Sequence, residues 1–133
     1  MTNYFDIKLS DENIGKISNL GLAHLGDAVY ELMVRVWLCE HGKCTSGGLH
    51  RAAVSYVNAP RQARMAEKLM PLLTEEEQAV YKRGRNTKVN SIPKNANPGE
   101  YHAATGLEAL LGYLYLHGRQ ERINELFKIM MED

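Results

Sequence analysis

Apolar residues recur along this chain at spacings of three and four. Neither an Asn-Gly or Asp-Gly hairpin signal nor a sustained period-two alternation interrupts them, which predicts an all-α fold. The longest such pattern opens with "LGLAHLGDAVYELMVRVW". Leu22, Leu25, Val29, Leu32, Val36 and Cys39 form one stripe, and Ala28, Met33, Val34 and Trp37 widen it, so a helix from Leu20 to His41 is expected to be buried on most sides. Gly42 supplies its stop. Thr45 or Ser46 can cap a second helix reaching about Val57, and Asn58 a third, "APRQARMAEKLMPLL", with Pro60 in the first turn where its missing N–H costs little. Thr74 and Glu77 form a capping box that opens a fourth helix, and acids at its start (Glu75, Glu76, Glu77) with bases at its end (Lys82, Arg83, Arg85) match the helix dipole. Residues 86–98, "NTKVNSIPKNANP", show no helical period and form the one long loop, a length often tied to function. A fifth helix runs from about Gly99 to His117, closed by Gly118, and "ERINELFKIMM" makes a sixth.

A length of 133 residues, 44% of them hydrophobic, suits one domain over 1–133 with a real core, and is too short for a catalytic domain plus a substantial accessory module. Sixteen Lys plus Arg against 16 Asp plus Glu exclude a uniformly basic surface, so nucleic-acid binding would have to rest on local clustering. Cys39 and Cys44 are expected to be reduced thiols; with only His41 between them they lack the second ligand pair of a structural zinc site. "MTNYFDIKLSDEN" has no basic start followed by an apolar run, and the longest apolar run, "ALLGYLYL", cannot span a bilayer. A soluble, cytoplasmic protein without a membrane partner is expected.

Against this apolar background two carboxylates stand out. On the first helix His24, Asp27, Glu31 and Arg35 share a narrow polar line, with spacings of three, four and four. On the fifth, Glu108 is the only acid between Glu100 and Glu121, with Tyr101, Thr105 and Gly112 on its side. Burying either ion alone would cost several kcal/mol, so each needs a cation, a set of hydrogen bonds or a metal. Facing one another, they could bind Mg²⁺ through oxygen and leave positions for water and phosphate. Neutralisation by Arg35 or Arg51 is the competing, purely structural reading, as a solvated or salt-bridged role is for Glu31 and a half-buried polar contact for His24. Gly26, Gly106 and Gly112 sit inside helices at a cost of about 0.5–1 kcal/mol each, which implies close approach by a backbone or a phosphate.

Positive charge is concentrated in one stretch. From Gln78 to Gly99 there is no acid, yet Lys82, Arg83, Arg85, Lys88 and Lys94 lie there among Asn86, Asn90 and Asn95. That composition suits a phosphate backbone, and equally a solvated helix end that satisfies its dipole. Arg61 and Arg64 are candidates to extend the patch.

These residues carry a resemblance. "LGLAHLGDAVYELMV" resembles the signature helix of the ribonuclease III family, and together with "YKRGRNTK" and "ATGLEALLGYLYL" it is similar to the short bacterial form, Mini-ribonuclease III, which lacks the double-stranded-RNA-binding domain. The match runs from about Leu20 to Gly118, and the length fits a catalytic domain alone. It implies an all-helical, homodimeric fold with the signature helices near the two-fold axis and Mg²⁺-dependent cleavage of double-stranded RNA. By motif, Asp27 corresponds to the signature aspartate and Glu108 to the essential late glutamate, as metal ligands and catalytic residues. The usual pattern also has a glutamate four residues before the first and an aspartate three before the second; here these positions are Ala23 and Thr105. Half the usual acidic quartet is absent, so water and the scissile phosphate must complete more of the coordination, and the number of ions is left open. Thr105 is a candidate support for a metal-bound water, and His24 a candidate support of the site.

The resemblance further implies maturation of the large-subunit (23S) ribosomal RNA precursor, with Lys82, Arg83, Arg85, Asn86, Lys88 and Lys94 gripping RNA and a large-subunit ribosomal protein as a conceivable helper. A catalytically silent RNA-binding or ribosome-assembly factor of the same fold is the alternative. A helical metal-dependent phosphohydrolase fits less well, because no adjacent His-Asp pair exists and the five histidines do not cluster.

Overall fold

The computed structural model describes residues 1–132. They form α1 (Asp11–Gly15), α2 (Asn19–Glu40), α3 (Ser46–Val54), α4 (Ala59–Leu69) followed by a 3₁₀ turn (Met70–Leu72), α5 (Glu75–Asn86), α6 (Pro98–Leu116) and α7 (Gln120–Met131), with no strand among the described residues. The all-α expectation holds. Side-chain oxygens set most of the helix starts: Ser18, Thr45, Asn58, Thr74 and Asn97 each accept from the backbone N–H three residues on. Two boundaries differ from the sequence reading. The helix capped by Thr45 ends at Val54, and α4 gives way after Leu69 to a tighter turn containing Pro71, whose ring cannot continue an α-helix. The short α1, capped by Ser10 and burying Ile14, carries too little periodicity to be seen beforehand.

α6 is the central element, carrying ten buried residues and packing against α2, α4, α5 and α7. Its longest contact is with α2, where the two backbones touch. A Cβ on Gly26 would lie 1.6 Å from the Glu108 carbonyl oxygen, and one on Gly112 would lie 2.1 Å from that of Leu22. Close approach by a backbone therefore explains these glycines. Gly106 is likewise pressed on α5, where its Cβ would be 2.7 Å from the Tyr81 carbonyl oxygen.

That packing rotates α2 from its expected orientation. The buried line is Leu22, Gly26, Tyr30, Val34 and Leu38, whereas Leu32 and Val36 are 52% and 59% exposed and Cys39 is exposed. The helix is thus buried on one side only. Tyr30 is the pivot of the inward face: fully buried, it donates to the Tyr56 carbonyl at 2.8 Å and contacts Met65 Sδ at 3.2 Å. At the far end of α2 the Trp37 ring stacks on His41 at 3.8 Å and meets Tyr56 edge-on.

One ion pair closes the other end of the fold. Glu77, 2% exposed, accepts from Arg122 Nε and Nη2, both at 2.8 Å, and from the Thr74 backbone N–H; Arg122 also donates to the Leu72 carbonyl. The bonds from Arg122 hold the Glu77 carboxyl below its usual range. A group whose folded pKa is depressed stabilises the protein above its unfolded value of 4.5, and that stabilisation is lost as pH falls through the folded value. Glu77→Ala should therefore cost about 2 kcal/mol near pH 7, because Arg122 loses its buried carboxylate and keeps only the exposed Glu125 and the Leu72 carbonyl. Urea unfolding should show the gap from the parent narrowing as pH drops below 4.

Candidate active site

The crossing of α2 and α6 sets the position of Asp27 next to Glu108. With Gly26 seated on the carbonyl of Glu108, the two side chains enter one cleft of about 300 Å³. α2 contributes Leu20, Ala23, His24 and Asp27 to it, and α6 contributes Tyr101, Thr105 and Glu108. The third wall is the start of the 87–97 loop, through Val89, Asn90 and Ser91. Asn19 anchors that loop by donating to Thr87 Oγ1 at 3.0 Å, while the Thr87 hydroxyl donates to the Arg83 carbonyl at 2.6 Å.

Asp27 is exposed at the cleft mouth and Glu108 half-buried behind it. Burial, followed by the hydrogen bond and the negative charge of Asp27, pushes the Glu108 carboxyl up to about 8, and a hydrogen bond from Gln62 partly opposes this. A carboxylate that raises the ionisation cost of the acid beside it forms with that acid a donor set suited to a hard divalent cation, which favours oxygen ligands and removes the repulsion. Among the described residues no group of three or more His, Cys, Asp or Glu is placed to hold a metal, so these two would be its protein carboxylates.

The two positions where the resemblance leads one to expect further acids also line the cleft. Ala23 is buried and offers a methyl group; Thr105 is buried and donates its hydroxyl to the Tyr101 carbonyl at 3.0 Å. His24 is exposed at the rim. The remaining polar residues of the α2 line leave the site: Arg35 pairs with Glu31 at 2.7 Å, away from Asp27.

The basic stretch does not form one patch. Arg85, Asn86 and Lys88 line a cleft with Thr87, Val89, Ile92 and His102, next to the carboxylates through the shared Val89. Arg83 turns to a different cleft, with Asp11, Asn19, Glu76, Tyr113, His117 and Arg119. Lys82 and Lys94 are exposed. Arg61, on α4, lies 4.7 Å over the Tyr56 ring.

Gln62 is the residue that sequence reasoning missed. It is 4% exposed and donates from Nε2 to Glu108 Oε2 at 3.3 Å. A signal was present: Gln62 shares the inward line of α4 with Met65, Ala66 and Leu69, and a lone amide in an apolar line needs a buried partner.

Comparisons with known proteins give the chain a family and a fold. The Ribonuclease III domain family matches residues 20–119. A protein of Symbiobacterium thermophilum named Mini-ribonuclease 3 is 53% identical over 82% of this chain and 84% of its own length. Its namesake in Clostridium tetani is 38% identical over 98% of this chain and 88% of its own. A crystal structure of a Fusobacterium nucleatum protein superposes with a TM-score of 0.82 at 32% identity, covering 91% of this chain and 98% of that one.

The raised Glu108 pKa has a consequence for the metal-free protein. A carboxyl whose folded pKa lies above its unfolded value stabilises the fold fully below 4.5, and that stabilisation is lost as pH rises to about 8. Glu108→Gln keeps the shape and cannot ionise. In chelator, its thermal midpoint should match the parent's near pH 4.5 and lie clearly above it at pH 8.

Proposed function

The chain belongs to the ribonuclease III family, whose members are endoribonucleases of double-stranded RNA, and on that premise we propose that Asp27 and Glu108 are its catalytic pair and hold Mg²⁺. The observation that carries the proposal is the meeting of these two carboxylates in one cleft, with Asp27 raising the cost of ionising Glu108. When bound, the ion would supply an activated water for attack on the phosphodiester and would stabilise charge on the leaving 3′ oxygen. The protein groups bind and orient. Asp27 and Glu108 present oxygens from two helices whose separation is fixed by backbone contact, so neither ligand position depends on a loop. Thr105, with its proton committed to Tyr101, can only accept from a water in the cleft. Asn90 and Ser91 place uncharged hydrogen-bonding groups on the opposite wall, where a phosphate or 2′-hydroxyl would pass.

RNA would be held by shape and phosphate contacts, since A-form duplexes hide their base edges in a deep, narrow groove. Arg85, Asn86 and Lys88 are the proposed grip beside the cleft, with Lys82 and Lys94 adding charge at longer range and Arg83 contributing less. The working form would be a homodimer. A groove of about 490 Å³, lined mainly by apolar side chains of α2, α6, α7 and the N-terminal segment, stays open in the single chain. Covering it with a second copy would relate two clefts by a two-fold axis, as cutting both strands of a duplex requires. The substrate would be the large-subunit ribosomal RNA precursor, which is in keeping with the name Mini-ribonuclease 3 carried by the relatives, and a single ribonuclease III-type domain would do the work. A large-subunit ribosomal protein could assist. No helix among the described residues is long and apolar enough to cross a membrane, and a cytoplasmic location is proposed.

Asp27→Asn and Glu108→Gln should each lower kcat on a long RNA duplex by at least 10²-fold, leaving helix content and duplex binding in Ca²⁺ nearly unchanged. Turnover equal to the parent's in either variant would remove that residue from the chemistry, and absence of Mg²⁺-dependent cleavage by the parent would favour the silent RNA-binding reading. Arg85→Ala with Lys88→Ala should flatten the salt dependence of duplex binding by about one log-log unit for each phosphate no longer neutralised, and Arg83→Ala should do so less. Equal slopes would assign all three charges to solubility.

A further inference from the structure

The Glu108 carboxylate is held by a group that nothing in the family resemblance singles out. α4 begins at a fixed point, because Asn58 accepts from the Arg61 N–H at 2.8 Å while its own amide donates to the Val54 carbonyl. One turn later, Gln62 N–H makes the first intrahelical bond to the Asn58 carbonyl, and its side chain crosses to α6. On this inward line Met65, Ala66 and Leu69 are 3%, 2% and 0% exposed. An amide there is expensive unless its hydrogen bond serves a purpose.

The chemistry of the alternatives narrows that purpose. An aliphatic residue at 62 would leave Glu108 Oε2 without this donor in a buried position. A lysine or arginine would satisfy it but cancel the negative charge that attracts a cation. An acid would add a third repelling carboxylate. A neutral amide donates a hydrogen bond and adds no charge, so it can fix the carboxylate plane while keeping the full anionic attraction of the pair.

We propose that Gln62 is a positioning residue of the metal site: its amide holds Glu108 Oε2 so that the carboxylate and Asp27 present oxygens to one divalent cation. The inference rests on the assignment of that site to Asp27 and Glu108.

Its test uses Gln62→Met, which keeps length and packing but donates nothing, beside the parent and Asp27→Asn. Mn²⁺ alone is the probe, its affinity read from the paramagnetic resonance of the free ion without RNA, together with thermal unfolding in chelator. The expected result is Mn²⁺ binding weakened by about 10-fold or more in Gln62→Met, a metal-free midpoint within a few degrees of the parent's, and a fall in kcat with little change in KM for duplex RNA. Equal Mn²⁺ affinity in the parent and Gln62→Met, while Asp27→Asn is weakened, overturns the role of Gln62 and leaves the site standing. A lowered midpoint with undiminished Mn²⁺ binding does the same, marking the glutamine as structural. Undiminished binding in Asp27→Asn removes the site itself, and the inference with it. Should Gln62→Met fail to fold, Gln62→Asn, one methylene too short to reach, carries the same comparison.

Discussion

Two glycines, Gly26 and Gly112, let α2 and α6 cross with backbone against backbone, and the remainder of the site is built on that crossing. Helices that pack through side chains keep their axes about 8–10 Å apart and can adjust by changing rotamers. A carbonyl lying where a Cβ would have to be allows no such adjustment. The cost is two glycines in helix interiors, and what it secures is register: the residue after Gly26 and the residue whose carbonyl it touches both present carboxylates to the same space. Placement to within a fraction of an ångström comes from the main chain, the stiffest part of the molecule, and leaves the side chains only the final orientation.

The fold treats its two inward-facing glutamates in opposite ways. Glu77 is matched by the fork of Arg122 and by its own helix cap, so it stays ionised and ties α5 to α7. Glu108 receives one neutral amide and faces another acid, and its ionisation is disfavoured. Had the first arrangement been used at both positions, Glu108 would be neutralised within the fold and closed to the proposed cation. Leaving one pair uncompensated costs stability at the place where we propose that a cation binds, as expected of a site kept ready for charge that arrives with its ligand.

Much of this was legible beforehand. Capping residues gave away the helix starts because a side-chain oxygen and three free N–H groups are a local arrangement, and Thr74 with Glu77 is a clear instance. Asp27 and Glu108 were visible because an isolated acid contrasts with an apolar helix. The orientation of α2 was not, because its apolar residues surround most of the cylinder and periodicity cannot say which of two greasy faces the chain itself covers; Gly26 decided it, through a contact with a residue 82 positions away. The basic stretch looked continuous because sequence adjacency hides helix rotation: Arg83 and Arg85, two residues apart, point into different clefts. Gln62 escaped because a single amide is common, and only the burial of its neighbours on α4 makes it unusual.

Trp37 is the only tryptophan in the chain, and it sits on α2 beyond Tyr30 and Val34, stacked on the imidazole of His41. Its emission is therefore tied to the packing of the α2–α3 junction and remote from the carboxylate cleft, which is lined by the first half of the helix. Excited selectively, this tryptophan is a gauge of local order at that junction. A cation or RNA binding at the proposed cleft would leave the tryptophan signal unchanged unless a reporter is introduced there.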